Sequence, residues 1–176
     1  RVSDKYTANS IEMANCLWNI AQSMIAIGEY DLTFEAYKKA RNIYKELGQE
    51  KTSSYIELLN ACIQFYGSKY DYGNTIATID EELKLLQEMH MTNSNYYTYA
   101  LSYKINAYKT KGDNEKVLII TKELGQNITR TNGENSSYYV NYLISGLAPA
   151  YYACAQIDSS LIVLSEAERL IDTSML

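Results

Sequence analysis

The sequence predicts an all-α fold built as an array of helical hairpins, and three observations carry that prediction. The 176-residue chain holds a single proline, Pro149, and no dense Gly/Ser tract, whereas β-sandwiches and barrels need frequent turn residues. Apolar residues recur at i, i+3, i+4 and i+7, one face of a 3.6-residue period. The pattern also returns at a fixed interval: Leu17, Leu59 and Leu101 stand 42 residues apart, as do Gln22, Gln64 and Asn106. One hairpin cannot bury its apolar face alone, so a repeat of this kind implies stacked neighbours that complete each other's core.

The first unit, residues 10–50, opens with the stripe Leu17, Ile20, Ala21 and Met24. It breaks at Gly28-Glu29-Tyr30-Asp31, where glycine accepts a left-handed backbone at no Cβ cost and Asp31 can cap the next helix. The second helix carries Thr33, Tyr37, Ala40 and Ile43. In the second unit, residues 52–92, Leu59, Cys62, Ile63 and Tyr66 precede Tyr70-Asp71-Tyr72-Gly73. No glycine stands at the equivalent place, so a different turn is expected there. Thr75, Ile79, Leu83 and Leu86 follow.

The third unit, residues 94–132, runs Leu101, Ile105 and Tyr108, with Lys104 breaking one apolar position. Its turn is Gly112-Asp113-Asn114, with Asp113 as the expected cap, and its second helix carries Val117, Ile120 and Leu124. A fourth unit, residues 136–172, has an end-of-helix turn at 151–158 and a helix through Leu161 to Ala167. It is displaced by about two residues, which the longer connection from Thr129 to Ser137 supplies. Pro149 falls within its first helix, where it would cost about 3 kcal/mol unless the helix starts or kinks there.

The run Ile20-Ala21, Met24, Gly28-x-Tyr30, Thr33, Tyr37 and Ala40 resembles the tetratricopeptide repeat (TPR). That pattern places a small residue, a Gly-x-Tyr turn and a small-x3-aromatic-x2-Ala step along two antiparallel helices. The resemblance covers roughly residues 10 to 172, and the 42-residue period is similar to the kinesin-light-chain type of repeat. Thr33, Thr75 and Asn114 depart from the pattern, the threonines standing for small Ala and Asn114 for the turn Tyr. The resemblance implies a right-handed α–α superhelix, a solenoid of about four TPR-like hairpins forming one repeat domain over residues 1–176. Its first helices would line a concave groove.

The resemblance also implies which side chains face that groove. They are Asn15, Trp18, Asn19 and Gln22; Glu57, Asn60 and Gln64; and Tyr99, Ser102, Tyr103, Asn106 and Lys109. Amides carry both a donor and an acceptor and can pair with the backbone of an extended peptide whatever its side chains. Trp18, Tyr99 and Tyr103 offer flat apolar area with a polar tip, a hot-spot composition. The bland reading is that amides merely solvate a face in an Asn- and Tyr-rich chain; the constant spacing of Gln22, Gln64 and Asn106 favours the groove. The form of this fold that grips chaperone C-termini needs Lys and Arg at these places, and here they are Asn, Gln, Ser, Trp and Tyr.

Composition narrows the rest. A net charge of −5 and a pI near 5.0 leave little basic surface for a phosphate backbone, so no nucleic acid partner is expected. The densest basic group, Lys38, Lys39, Arg41 and Lys45, reads as a solvated face beside Glu35 and Glu46. No apolar run approaches 18 residues, and no membrane contact is expected. Cys16, Cys62 and Cys154 lie far apart in apolar patterns and each reads as a buried small hydrophobe rather than a metal ligand. Such thiols fit a reducing, cytoplasmic setting; the periplasm fits too if the chain belongs to a membrane sensor. The chain begins with Arg1 and reads as a piece of a larger protein.

Catalytic signals are weak. The one histidine, His90, reads as a surface or cap residue, and Asp80-Glu81-Glu82 as a solvated charge run. There is no Gly-rich phosphate loop, Ser elbow or HExxH, so neither enzyme activity nor a cofactor is expected. Asn127-Ile128-Thr129 and Asn135-Ser136-Ser137 match glycosylation acceptors, a pattern common by chance. The 18 tyrosines suit hairpin packing, ring inward and hydroxyl at the rim. The leading expectation is a protein-interaction scaffold holding a peptide or partner segment. The alternatives are a regulatory input module of a larger signalling protein, a kinase or transcription regulator, and a self-association module that forms a homodimer.

Overall fold

The computed structural model describes residues 10–174, and every regular element among them is helical. Helices α1 (Ile11–Ile27) and α2 (Tyr30–Glu46) are followed by α3 (Ser53–Ser68) and α4 (Tyr72–Glu88), then by α5 (Asn95–Lys111) and α6 (Asn114–Asn132). After α7 (Ser137–Tyr142) come a π turn (Leu143–Leu147), α8 (Ala148–Ala153) and α9 (Ile157–Ser174). The chain forms two compact units, one ending at Phe65 and the other starting at Tyr66.

One turn joins the two helices of each hairpin, at Gly28, Tyr70, Gly112 and Ala155, whose φ angles are 82°, 58°, 74° and 58°. In each, the left-handed residue donates to the carbonyl three back and its successor to the carbonyl five back, at 2.9–3.2 Å. These paired bonds satisfy the last carbonyls of the preceding helix. The second turn therefore has the same shape as the others, with a tyrosine in the glycine position. The fourth sits 43 residues after Gly112, a displacement of one residue rather than the expected two. The cap is the residue after the left-handed one. Asp71 accepts from the Asn74 amide at 3.1 Å and Asp113 from the Lys116 amide at 3.2 Å. In the first hairpin that position is Glu29, which makes no cap bond, and Asp31 lies inside the first turn of α2. The expectation that Asp31 caps is thus corrected.

In the first unit the small residues Ala14, Ala21, Ala36 and Ala40 are buried, which lets α1 and α2 approach closely. Tyr37 packs on Phe65 with ring centroids 5.7 Å apart, and Tyr44 on Tyr55 at 5.3 Å. Ile20, expected in the core, is 40 % exposed, because the α1 stripe extends past the face that α2 covers. Cys16 is likewise exposed, whereas Cys62 is buried and the Cys154 thiol donates to the Asn114 carbonyl.

In the second unit α4 packs on α5, α5 on α6, α6 on α7 and α8, and α8 on α9. Ile79, Leu86, Leu101, Val117 and Ile120 form its buried stripes. The threonines that replace alanine fit because their hydroxyls turn back onto their own helices. Thr33 donates to the Glu29 carbonyl at 2.8 Å and Thr75 to the Asp71 carbonyl at 2.7 Å. Lys104, the break in the α5 stripe, reaches Asp80 on α4 at 2.7 Å. The acidic run is only partly solvated, since Glu82 is fully buried.

Pro149 sits in the first turn of α8, where its fixed φ suits the start of a helix. The π turn just before it carries the Ala148 amide to the Leu143 carbonyl, one residue further back than in an α-helix. The expected interior penalty is avoided because the helix is interrupted there. Ser160 of α9 then donates to the Ala148 carbonyl at 2.9 Å inside the core.

Candidate functional site

On α1, the positions Asn15, Trp18, Asn19 and Gln22 follow i, i+3, i+4, i+7 spacing and share one helix face. Asn15 commits its side-chain oxygen within the unit: Oδ1 accepts a 2.8 Å bond from the Tyr44 hydroxyl of α2. Burial raises the Tyr44 pKa, the Ser54 side chain opposes the shift and the Glu57 carboxylate adds to it, and the hydroxyl stays a donor. Trp18 is half-buried, and its indole N–H is enclosed without a hydrogen-bond partner among the described residues. Asn19 and Gln22 are exposed.

The α3 row divides in the same way. The Asn60 amide folds back to donate to the Ile56 carbonyl at 3.0 Å, while Glu57 and Gln64 are exposed. On α5, Ser102 donates to the Thr98 carbonyl at 2.9 Å and Tyr103 is half-buried. Tyr99 is 57 % exposed, and Asn106 and Lys109 are exposed. The structure thus sorts the predicted row. Asn15, Asn60 and Ser102 each commit a side-chain group to a bond inside the protein. Gln22, Gln64 and Asn106 make no side-chain hydrogen bond among the described residues and face solvent.

The remaining polar side chains are structural. Tyr97 of α5 donates to Glu123 of α6 at 2.7 Å and accepts from Gln87 of α4 at 3.1 Å. Burial, reinforced by the Glu123 carboxylate, raises its pKa. Asn127 is buried; it donates to the Thr92 carbonyl and accepts from Thr98 at 3.0 Å, which removes it as a glycosylation acceptor in the folded chain. Asn135 of the second triplet is exposed. His90 lies at the end of α4 with φ 55°, the role that Gly48 plays with φ 62° at the end of α2. Histidine adopts that conformation more readily than bulky apolar residues do, so His90 is a helix terminator rather than a base.

One feature escaped the sequence row. A cleft of about 500 Å³ in the second unit is lined from α6, α7 and α8, and none of the predicted residues contributes to it. Its signal lay in Lys122, Gln126 and Arg130, polar residues at four-residue steps on one face of α6.

No protein-family model matches the chain, and no curated protein sequence matches it. Solved structures do. BtubC (BKLC) from P. vanneervenii superposes with a TM-score of 0.74 at 13% identity, covering 98% of this chain and 68% of that one. A Podosopora anserina protein described as a kinesin light chain with nearly identical TPR-like repeats gives 0.77 at 10% identity, covering 98% and 81%. A single-substitution variant of that protein gives 0.75 at 10% identity with the same coverages. At such identities the likeness is one of fold.

Proposed function

We propose that this chain, a TPR-like repeat protein by fold, is a protein-interaction scaffold that holds an extended segment of a partner against its first helices. TPR-like folds typically serve this purpose, and the sequence carries no competing catalytic constellation. We read it as one repeat domain with hairpins at 10–50, 52–92, 94–132 and 136–172. The observation that carries the reading is the set Gln22, Gln64 and Asn106: three solvent-facing amides at the same repeat position, each with an unspent donor and acceptor. Exposed Asn19, Tyr99 and Lys109 flank them, and Trp18 and Tyr103 add half-buried aromatic area. No phosphate backbone or bilayer is needed as a partner. No helix among the described residues is long and apolar enough to cross a membrane.

The test is a pull-down from source lysate with the wild-type chain and a Gln22→Ala/Gln64→Ala/Asn106→Ala variant. The three side chains are exposed, so each substitution should change stability by no more than about 0.5 kcal/mol. A partner kept by the wild type and lost by the folded variant supports the reading; identical partner sets refute it.

Self-association is a second reading, favoured by apolar rows on α1 and on α9. Met13, Ile20 and Ile27 lie exposed on α1, and Ile157, Leu161, Ile162 and Leu164 on α9. Exposed apolar rows of this kind mark interaction surfaces. Molar mass by light scattering that rises with concentration, and stays at 20.1 kDa in an Ile20→Glu/Leu161→Glu variant, would support it.

A further inference from the structure

The cleft of the second unit is built around a phenol with no protein partner. Tyr142 is 8 % exposed, and among the described residues its hydroxyl makes no hydrogen bond. That hydroxyl stands against the backbone of Gly125 on α6, where any Cβ would collide with it, and both residues line the cleft. The hydroxyl is not sealed off but opens onto the cleft, where an acceptor seated beside it would take the place of water. Burial raises the Tyr142 pKa, and the neighbouring Tyr139 and Tyr151 add to the shift. The phenol therefore stays a neutral donor at physiological pH, suited to an acceptor.

The charges around it point to a single negative charge on that acceptor. Lys122 and Arg130 line the cleft from α6, and Glu134 lines it as the one carboxylate, leaving one positive charge in excess. The Cα atoms of Lys122 and Arg130 lie about 12 Å apart at 1.5 Å per helical residue. Both side chains are long enough to close on an anion lying over Gly125. Among the described residues neither cation has a carboxylate partner. Lys122 Nζ rests 5.0 Å from the Tyr151 ring centroid, and one Arg130 nitrogen donates to the Thr92 carbonyl at 3.2 Å; each keeps further donors. Tyr139 and Tyr151 supply flat walls. At about 500 Å³ the cleft falls within the range of small-molecule sites.

We propose that this cleft binds a small aromatic monocarboxylate, its carboxylate accepting from the Tyr142 hydroxyl between Lys122 and Arg130 and its ring lying against Tyr139 and Tyr151. The site is independent of the amide rows of the first helices.

The experiment is a titration of the isotope-labelled full chain, followed by amide NMR, with benzoate, phenylacetate and indoleacetate. The neutral amides of the same acids serve as controls. At least one carboxylate should shift the Gly125 and Gln126 resonances saturably in the millimolar range, and its amide should not. Lys122→Gln/Arg130→Gln should weaken that binding roughly tenfold, as loss of charge-assisted contacts requires. Tyr142→Phe, which keeps the ring and the fold, should weaken it as well. Absence of shifts at tens of millimolar with all three acids overturns the proposal. So do equal shifts from the amides, or binding unchanged in either variant.

Discussion

Ala155→Gly should stabilise the second unit, because Ala155 does the work of a glycine at the turn before α9. Its φ of 58° lies in the left-handed region, where a Cβ presses on the following carbonyl at a cost of about 1–2 kcal/mol. Glycine removes that strain and returns about 0.5–1 kcal/mol through the larger entropy of the unfolded chain. Ala155 is exposed, so little packing is lost, and the net gain should be about 0.5–1 kcal/mol. Gly28→Ala is the mirror experiment. Its φ is 82°, and a Cβ built there meets no atom within 4 Å, so backbone strain alone acts and stability should fall by a similar amount. Tyr70→Gly separates strain from packing. Tyr70 has φ 58° but also an edge contact with Tyr72 at 6.3 Å, and its gain should be smaller than that of Ala155→Gly. Urea denaturation with fitted slopes reads all three, and 1 kcal/mol corresponds to about 2–4 °C in melting temperature for a chain of this size. If Ala155→Gly destabilises, or Gly28→Ala is neutral, the argument from left-handed strain is wrong.

Gly125→Ala should cost roughly 1–3 kcal/mol, since the added methyl would overlap the hydroxyl and ring of buried Tyr142; Gly125→Ala combined with Tyr142→Leu should recover part of the loss in the same melt. Ala40→Leu, at a fully buried contact of the first unit, should lose a similar amount by overpacking, and an unchanged midpoint would contradict the hairpin register. Asn127→Leu should cost about 1–3 kcal/mol by stranding the Thr98 hydroxyl and taking one of two donors, the other being Arg130, from the Thr92 carbonyl, seen as faster exchange of the α5 and α6 amides. Tyr44, Tyr97 and Tyr142 all have pKa values raised above 10.0 by burial. Above that pH the unfolded chain releases phenolic protons that the folded chain keeps. The tyrosines' contribution to stability should be constant with pH up to the unfolded value and fall beyond it, by up to about 1.4 kcal/mol per pH unit for each tyrosine. Tyr142→Phe should make the fall shallower.

The repeat was legible because it rests on local chemistry. The 42-residue step, the i, i+3, i+4, i+7 stripes, the two glycine turns and the Asp113 cap depend on residues a few positions apart, and all are present in the structure. Proline was legible as a break, and the π turn is the form the break takes. The turns at Tyr70 and Ala155 were less legible. A left-handed tyrosine or alanine is disfavoured locally and persists because the flanking helices fix where the chain must reverse.

The candidate site shows the limit of this kind of reading. Helical spacing placed the polar row on shared faces, but not which of its members had a hydrogen bond to spare. That depended on Tyr44 reaching Asn15 from 29 residues away, and on whether an amide such as Asn60 folded back onto its own helix. Burial of Glu82 and exposure of Ile20 and Cys16 went against hydropathy for the same reason. The sequence by itself determined the all-α class, the period and most of the turns, because these are set by neighbours along the chain. Only the tertiary structure decided which polar groups face solvent and which glycine and tyrosine share a cleft, because those outcomes depend on neighbours in space contributed by other helices.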